Sequence, residues 1–463
     1  MTTNNIAYEC VTRHVESGLG EREALHWIGN DLSEHSFSFN FFELESNRIA
    51  AVLRQLGIKA GDIVSIFLPR SPMLISVFFA AQKLVGISCI LFGTLGEEGL
   101  LDRLANSNTR LVITRKSLLR KIVSIKNQLP ALEKILTVDQ DEHQSDVVLS
   151  LKKLLAEEKS VFKYPQQLDA ETPAFLQYTS GSTGKPKGAL HVHSAIADMK
   201  QSFQEIMQLE TDDLYWCTAD PAWITGLVYG IIAPFSTAAR QVQFSGTYNA
   251  DSWLRILEEH KINIWYTAPT ALRMLMQEDE NRFKDYDFSA LKRMYSVGEP
   301  LNPEIYHWGK KVFHVEIYDN WWQSETGSMM IANRPPIPVK PGSMGVPRLG
   351  VEAMIYSEEE KPAKPGEQGY LCLRKGWRSM FRSYFHNDAA YTDKFKGDIY
   401  YSGDLAYQDE DGYFWYVSRA DDVINTAGHL VGPFEVESAR LELEELVDVA
   451  VIGADGPLLH NRN

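Results

Sequence analysis

Short apolar runs alternate with helical patterns along this 463-residue chain, and this alternation restricts the possible folds most strongly. An apolar run at 63–68 is followed by a helical pattern at about 73–84 and by a second apolar run at 87–92. Buried strands separated by helices are typical of βαβ units, which form mostly parallel sheets with helices on both faces. Further strands are predicted at 262–267 and 292–297, so the expected fold class is α/β.

The alternation ends where glycine and proline become frequent, between residues 335 and 376. We therefore expect a large N-terminal domain of stacked βαβ sheets that includes a smaller β-rich subdomain. An incomplete, small α+β C-terminal domain would follow, with a hairpin, a helix and a strand. The large domain is expected to span 1–420, with α/β subdomains at about 1–170 and 171–334 and the β-rich subdomain at about 335–420. The C-terminal domain is expected to span 421–463. Its hairpin, helix and strand are predicted at about 423–432, 434–445 and 447–452.

Charge and cysteine usage argue against several kinds of partner. With 46 basic and 61 acidic side chains the net charge is −15, so we expect no binding to nucleic acid or to anionic membranes. The four cysteines are far apart and form no CxxC pair, which argues against a disulfide framework and a zinc site and suits a reducing compartment. Gln82 and Lys83 interrupt the most apolar stretch, and no secretory signal is recognisable at the N-terminus. We expect a cytoplasmic protein.

A glycine-rich run, TSGSTGKPKG, occupies residues 179–188. Its three glycines and four small hydroxyl side chains offer many N–H and O–H donors at close range, as in loops that surround phosphate oxygens. Composition alone also permits a flexible surface linker. Pro186 stands where a Walker A loop requires Ser or Thr, and the extended segment at 189–193 predicts a loop that joins two strands.

Together with four later motifs, this run resembles the phosphate loop of the AMP-forming, adenylate-forming ligases, which include acyl-CoA synthetases, luciferases and peptide-synthetase adenylation domains. The supporting motifs are YSVGEP at 295–300, YDNWWQSETG at 318–327, YSGD at 401–404 and RADDVI at 419–424. They occur in the order of the family, and the resemblance covers about residues 35–452. It implies that a carboxylate attacks the α-phosphate of ATP to give acyl-AMP and pyrophosphate, and that CoA then displaces AMP.

The resemblance also implies a role for individual residues. Asp404 matches the acid that binds the ribose hydroxyls, and Arg419 matches a basic residue near the ribose and phosphate. Glu325 matches the carboxylate that holds Mg²⁺. The implied cofactors are ATP, Mg²⁺ and CoA. The other nucleotide-binding positions are Thr179, Ser180, Gly181, Ser182, Thr183, Gly184 and Lys187 in the loop, Gly298, Glu299 and Pro300 beside the adenine, and Asp319, Asn320, Trp321, Trp322, Gln323 and Ser324 along the nucleotide.

The implied acyl site is small. Trp322 stands where many relatives that act on long or aromatic acids have a small residue, and WWQSETG is similar to the acetyl-CoA synthetase pattern. We expect acetate as the substrate and propionate next, because an apolar pocket discriminates one methylene by only ~1–3 kcal/mol. The implied pocket residues are Trp223, Ile224, Thr225, Val297 and Trp322, and the positions near CoA are Thr225, Asn249, Ala427 and Gly428.

The sequence departs from the family pattern near its end. Asp421 matches the hinge position, but no lysine occurs after Lys396, so the C-terminal lysine of the family has no counterpart and no catalytic side chain is assigned. Leu430 replaces the arginine of the acetyl-CoA synthetase GHR pattern. Losing one charged transition-state contact costs ~2.7–4 kcal/mol, so we expect impaired adenylation while ATP and acetate still bind.

Two other functions remain open on the sequence alone. The chain could be a non-catalytic protein that binds a nucleotide or an acyl-adenylate, as the absent lysine and Leu430 would suggest. It could also be an adenylation domain that serves a carrier protein, although no carrier-like segment with a modifiable serine is recognisable. The intact glycine-rich run together with Glu325 and Asp404 favours catalysis.

Overall fold

The computed structural model describes residues 2–158, 162–179, 185–421, 424–426, 429–431 and 451. The helices in these ranges are α1 (Phe39–Gln55), α2 (Pro72–Lys83), α3 (Glu97–Asn106), α4 (Lys116–Val123), α5 (Leu151–Glu157), α6 (Ile196–Met207), α7 (Ile224–Leu227), α8 (Ala233–Ser236), α9 (Ala250–Glu259), α10 (Pro269–Met276), α11 (Glu280–Phe283), α12 (Pro303–Phe313) and α13 (Asp388–Thr392). Short 3₁₀ or π-helical segments occupy Tyr8–Thr12, Val15–Leu19, Lys126–Gln128, His193–Ala195 and Val228–Ile232.

The strands of the first half are β1 (Thr2–Asn4), β2 (Glu23–Ile28), β3 (Glu34–Ser38), β4 (Ile63–Phe67), β5 (Ile87–Ile90), β6 (Leu111–Thr114), β7 (Lys134–Thr137), β8 (Val148–Ser150), β9 (Gln167–Asp169), β10 (Pro173–Thr179), β11 (Lys187–Val192), β12 (Leu214–Cys217) and β13 (Arg240–Phe244). Those of the second half are β14 (Ile264–Thr267), β15 (Arg293–Ser296), β16 (Ile317–Trp321), β17 (Ile331–Ala332), β18 (Val346–Pro347), β19 (Ala353–Tyr356), β20 (Gly369–Arg374), β21 (Ser383–Tyr384), β22 (Phe395–Lys396), β23 (Ile399–Gln408), β24 (Phe414–Arg419), β25 (Ile424–Thr426) and β26 (His429–Val431). The predicted strands near 63, 87, 262 and 292 are confirmed as β4, β5, β14 and β15.

Three larger sheets organise the described residues. The first sheet has the order β21-β11-β10-β5-β4-β6-β7-β8, and the second has the order β18-β17-β16-β15-β14-β12-β13-β2-β3. Their central strands are parallel and separated in sequence by helices, so the expected α/β class is confirmed. The third sheet, β19-β20-β23-β22 with β24 beside β23, is antiparallel and forms the expected β-rich part.

The sheets do not follow the expected division near residue 170. The hairpin of β10 and β11 lies after that point in the chain but belongs to the first sheet, whereas β2 and β3 near the N-terminus belong to the second. Likewise, β18 lies within the expected β-rich range but pairs with β17 and so extends the second sheet. Periodicity predicted where strands occur, but the pairing partner of a strand depends on long-range packing that a local pattern does not contain.

A buried helix explains the most apolar stretch of the sequence. Helix α2 packs against α1 within a core cluster that extends beneath both α/β sheets. Lys83 at its end is buried, and its Nζ donates 2.8 Å hydrogen bonds to Glu43 and Asn47 of α1. This pairing accommodates a charged residue in an apolar helix. Within the described ranges, no helix combines the length and the apolar character needed to cross a membrane.

The C-terminal elements are described only in part. Strands β25 and β26 pair antiparallel, as expected for the hairpin at about 423–432. The predicted helix at about 434–445 lies outside the described residues, and of the predicted strand at 447–452 only residue 451 lies inside them.

Candidate active site

A cavity of about 240 Å³ opens where β15 and β16 end side by side in the second sheet. Gly298 follows β15 with a φ of +99°, a conformation that favours glycine, and so turns the chain along the cavity rim. Except for Met344 and Tyr416, every residue of the wall is a predicted nucleotide-binding position. The lining residues are Gly298, Glu299, Pro300, Asp319, Asn320, Trp321, Trp322, Gln323, Met344, Asp404, Tyr416 and Arg419.

Asp404 projects from β23 of the third sheet and is held by donors from two sheets. Its Oδ2 accepts hydrogen bonds from Trp321 Nε1 at 2.9 Å and from Gln323 Nε2 at 2.8 Å. Its Oδ1 pairs with the guanidinium of Arg419 at 3.2 Å, because β24 places Arg419 directly opposite Asp404. With the residue only 4% exposed, burial raises the pKa of Asp404, and the charge of Arg419 opposes this shift.

The floor of the cavity is a chain of buried hydrogen bonds. Asn320 donates from Nδ2 to the Ser296 carbonyl oxygen at 2.8 Å, and its Oδ1 accepts from the Tyr266 hydroxyl at 3.0 Å. The indole Nε1 of Trp322 lies 3.4 Å from the Tyr266 hydroxyl. These bonds fix the side chains that follow the parallel strands before any ligand binds.

Asp319 is the most perturbed acid of the cavity. Its side chain is buried, and this burial raises its pKa to about 8, although the backbone N–H groups of Asn320 and Leu301 favour the charged form. Among the described residues, its Oδ1 has no hydrogen-bond partner. A buried acceptor without a partner, in the wall of a cavity, is available to a donor on a ligand.

Glu325 lies beyond the cavity, between the first sheet and the third. Its Oε1 accepts a hydrogen bond from the hydroxyl of Tyr384, which pairs in register with Ala189 of β11. The Nζ of Lys187, on the same strand β11, lies 5.6 Å from the Tyr384 ring centroid. The predicted metal ligand and the predicted loop lysine therefore both lie close to one tyrosine.

The turn that carries Glu325 depends on a glycine. Gly327 has a φ of +68°, and a Cβ there would lie 2.3 Å from the carbonyl oxygen of Ser379. The Gln323 backbone N–H donates to Thr326 Oγ1 at 2.9 Å, and the Ser324 carbonyl oxygen contacts Nε2 of the buried His191 at 2.8 Å. These contacts place Ser324 outside the cavity wall.

The predicted acyl residues are only partly assembled. Ile224, Val297 and Trp322 belong to one buried apolar cluster, in which the Trp322 ring meets Tyr229 edge-on at 5.0 Å. Trp223, by contrast, is 56% exposed and packs edge-on against Phe92 at 4.9 Å. It precedes the short helix α7, whose buried face begins at Ile224, so the structure does not place it with the buried wall.

Thr225, Asn249 and Asp421 do not line this cavity. Thr225 is half-buried in α7, and Asn249 is exposed and accepts a 3.0 Å hydrogen bond from the Ser252 N–H at the start of α9. Asp421 is exposed, and its carboxylate accepts a 3.4 Å hydrogen bond from Arg419 Nε. Thr179 ends β10 opposite Lys187, which confirms that the glycine-rich run joins two strands. Residues 180–184, Ala427 and Gly428 lie outside the described residues.

A family model described as "AMP-binding enzyme" matches residues 12–385. The chain belongs to this family. It is 41% identical to the acetyl-coenzyme A synthetase of Bacillus subtilis (strain 168) over 98% of this chain and 79% of that protein. It is 35% identical to the acetyl-coenzyme A synthetase of Deinococcus radiodurans over 98% of this chain and 74% of that protein.

The structure is also similar to solved structures of acyl-CoA ligases. The anthranilate CoA ligase AuaEII, in complex with anthranoyl-AMP, superposes with a TM-score of 0.91 at 27% identity, covering 99% of this chain and 86% of that one. An acyl-CoA synthetase of Brucella canis superposes with a TM-score of 0.85, also at 27% identity, covering 100% and 83% of the two chains. The predicted resemblance to AMP-forming, adenylate-forming ligases is thus confirmed.

Four residues of this AMP-binding enzyme's site were not predicted from its sequence. Met344 and Tyr416 line the cavity, Tyr384 binds Glu325, and Lys394 donates to the Ser402 carbonyl oxygen at 3.1 Å. Burial lowers the pKa of Lys394. Tyr416 could have been inferred from the strand that precedes Arg419, whereas Met344 stands in a glycine- and proline-rich segment without a periodic pattern.

Proposed function

We propose that this chain activates a short carboxylate with ATP and transfers the acyl group to CoA, with acetate as the preferred acid and propionate next. The observation that carries the proposal is the position of Trp322. It lines the nucleotide cavity and also belongs to the buried cluster that contains Ile224 and Val297. This position supports the inference that the indole would take volume that a longer acyl chain needs.

Two buried acids fit the hydroxyl and amine donors of a nucleotide. A carboxylate offers about four lone-pair sites, so Asp404 can accept one ribose hydroxyl while it keeps its bonds to Trp321, Gln323 and Arg419. Asp319 has an unpartnered oxygen in the same wall. Lys187 and Arg419 supply positive charge for the phosphates in a chain that is acidic overall.

The surroundings of Glu325 fit Mg²⁺. This ion takes hard oxygen ligands, commonly one or two carboxylates together with the substrate phosphates and water. Tyr384 occupies one oxygen of Glu325 and so orients the carboxylate, while the other oxygen has no contact with Tyr384. When bound, Mg²⁺ would neutralise charge on the phosphates.

The proposed chemistry needs no covalent link to a side chain. A carboxylate oxygen of the acid attacks the α-phosphorus, the bond to pyrophosphate breaks, and acyl-AMP forms. The CoA thiolate then attacks the acyl carbonyl carbon, and AMP leaves. Catalysis rests on positioning and on donors aimed at the negative charge, which suits the rigid walls around Asp404 and Asn320. Thr225, Asn249, Ala427 and Gly428 remain proposed CoA contacts, and Asp421 the proposed hinge.

The state of the cysteines supports a cytoplasmic location. Cys10, Cys89, Cys217 and Cys372 are all free and buried in the described part of the chain. Free thiols are usual in compartments that keep cysteines reduced, which are also the compartments that hold ATP and CoA.

The test measures the two half-reactions separately. Acetate-dependent exchange of pyrophosphate into ATP reports adenylation, and CoA-dependent release of AMP reports transfer. In line with the impaired adenylation expected from the sequence, we expect slow exchange and slow release of AMP, with acetate preferred to propionate and butyrate. Exchange without transfer to CoA would indicate an adenylation domain that serves a carrier protein. Nucleotide binding without exchange would indicate a binding protein, and equal use of acetate and butyrate would contradict the role of Trp322.

A further inference from the structure

Two histidines and a glutamate meet at the far edge of the second sheet. His26 lies on β2, Glu34 on β3, and His260 caps the C-terminus of α9. One ligand atom from each residue lies within 4.8 Å of the other two. We propose that these three side chains bind a divalent late transition metal ion, and that Zn²⁺ is the ion bound in the cell. Two imidazoles and a carboxylate form a ligand set that Zn²⁺ accepts.

The pairing of β2 with β3 brings the first two ligands together. His26 lies opposite Ser36, and Ile28 lies opposite Glu34, so His26 and Glu34 are diagonal neighbours on one face of the hairpin. The Nε2 of His26 lies 3.0 Å from Oε2 of Glu34, and the Nε2 of His260 lies 3.6 Å from Oε1. Tetrahedral Zn²⁺ with bonds near 2.0–2.1 Å separates its ligand atoms by about 3.3 Å, so small side-chain adjustments would complete the site.

The contacts of His26 Nδ1, on the side of the ring away from Glu34, also support a metal site. Its Nδ1 lies 3.2 Å from Ser36 Oγ and 3.7 Å from Oε2 of Glu23. Arg240 in turn holds the other oxygen of Glu23 at 3.0 Å. A proton on Nδ1 that is donated to this group leaves the Nε2 lone pair directed at Glu34. A carboxylate behind the imidazole is the usual outer arrangement of a metal-bound histidine.

A simple ion pair explains the cluster less completely. One protonated imidazole would satisfy the Glu34 carboxylate, but two rings approach it, and their centroids are only 4.9 Å apart. A shared cation accounts for both rings at one carboxylate. The histidine side chains are 17% and 15% exposed and Glu34 is 45% exposed, so the site is open on one side to a water as fourth ligand.

The proposed ion would act on stability and not on chemistry. Strands β14, β12 and β13 separate it from the cavity at β15 and β16, and with strands about 4.8 Å apart it lies on the order of 20 Å from the nucleotide. It would tie the hairpin of β2 and β3 to α9. The cysteine spacing argued against a zinc site, and the proposed site departs from that expectation because its ligands are two histidines and a glutamate.

The test is Zn²⁺ binding by the full chain without nucleotide or Mg²⁺, measured by competition with a chromophoric chelator. We expect one Zn²⁺ per chain, a rise in thermal midpoint on its addition, and the visible absorption of tetrahedral Co²⁺ after substitution. His260→Gln should weaken binding at least about 100-fold and abolish the thermal shift. Glu23→Gln, which removes the negative charge behind His26 but none of the three proposed metal ligands, should weaken binding about 10–100-fold.

His35→Gln is the matched control, because His35 belongs to the same hairpin but lies opposite Trp27 in the pairing register, adjacent in sequence to Glu34. It should bind Zn²⁺ like the unmodified chain. Absence of stoichiometric binding, or equal affinity in His260→Gln, would overturn the proposal. Since His260 lies at a helix end, that variant is informative even if His26→Gln fails to fold.

Discussion

The indole Nε1 of Trp321 donates a 2.9 Å hydrogen bond to the carboxylate of Asp404, and so joins the second sheet to the third. Gln323 and Arg419 donate to the same carboxylate. The acid is therefore fixed by donors on two sheets before a nucleotide arrives. Such preorganisation lowers the ordering cost of binding and keeps the wall in place during the reaction.

Replacing Asp404 by asparagine should weaken nucleotide binding. The variant keeps the shape of the side chain but removes the charge that pairs with Arg419, and its NH₂ group must face existing donors. We expect the affinity for AMP to fall at least about tenfold, or ~1.4 kcal/mol, by isothermal titration calorimetry. Asp411→Asn is the control, because Asp411 is exposed and pairs with Lys340 away from the cavity. Equal loss in both variants would contradict the assignment.

Replacing Trp322 by glycine should change which acid is used. Removal of the indole opens space in the buried cluster that also contains Ile224 and Val297, so activity with butyrate and hexanoate should rise relative to acetate. Loss of a buried indole also destabilises a protein by about 3–5 kcal/mol, so thermal midpoints must accompany the kinetics. Trp308→Ala removes an indole from a different buried cluster and should leave the acid preference unchanged. An unaltered preference in Trp322→Gly would refute the proposed pocket.

Replacing Tyr384 by phenylalanine should lower the apparent affinity for Mg²⁺. The change removes the hydroxyl that orients Glu325 but keeps the ring. Loss of such an orienting group typically lowers metal affinity 10–100-fold, so we expect the Mg²⁺ concentration for half-maximal exchange to rise about tenfold. Tyr391→Phe, at a half-buried ring that packs on Phe381, should have no such effect. A lower maximal rate with unchanged Mg²⁺ dependence would argue against this role.

Asp319 should make the protein less stable as the pH rises. Burial raises its pKa to about 8 from an ordinary value of 3.8, so between these values the folded state holds a proton that the unfolded state has released. The contribution of this proton to the free energy of unfolding is complete below about pH 4. It is lost as the pH approaches 8, by up to about 1.4 kcal/mol per pH unit. Asp319→Asn lacks this proton. We therefore expect the thermal midpoint of the variant, relative to that of the unmodified chain, to be higher at about pH 8 than at about pH 5. The same difference at both pH values would contradict the raised pKa of Asp319.

The sequence predicted most of the cavity residues through the motifs that resemble those of the family, and several of these motifs lie at or near strand ends. The carboxyl ends of adjacent parallel strands meet at one edge of a sheet, so Gly298, which follows β15, lies near Asp319 in the last part of β16. Asp404 and Arg419 were predicted from their motifs, and the register of β23 with β24 pairs them directly. Local patterns were sufficient wherever a motif and a strand end coincided.

The remaining features depend on contacts that no local pattern contains. Tyr384 and Glu325 lie in different elements, and their contact requires the first sheet to dock beside the third. The exposed position of Trp223 could not be read from its type, because an apolar residue before a four-residue helix can face either way. The grouping of His26, Glu34 and His260 likewise requires the hairpin and α9 to pack together.

The position of the β2–β3 hairpin in the second sheet has a consequence for biosynthesis. Its partner strand begins at Arg240, so a ribosome that adds about 5–20 residues per second needs on the order of ten seconds or more to supply it. Until then the hairpin has an unpaired edge, which is a template for wrong pairing. If the chain were divided between the segments that supply most of each α/β sheet, the two fragments would also not fold independently. Each sheet contains strands from both halves of the polypeptide.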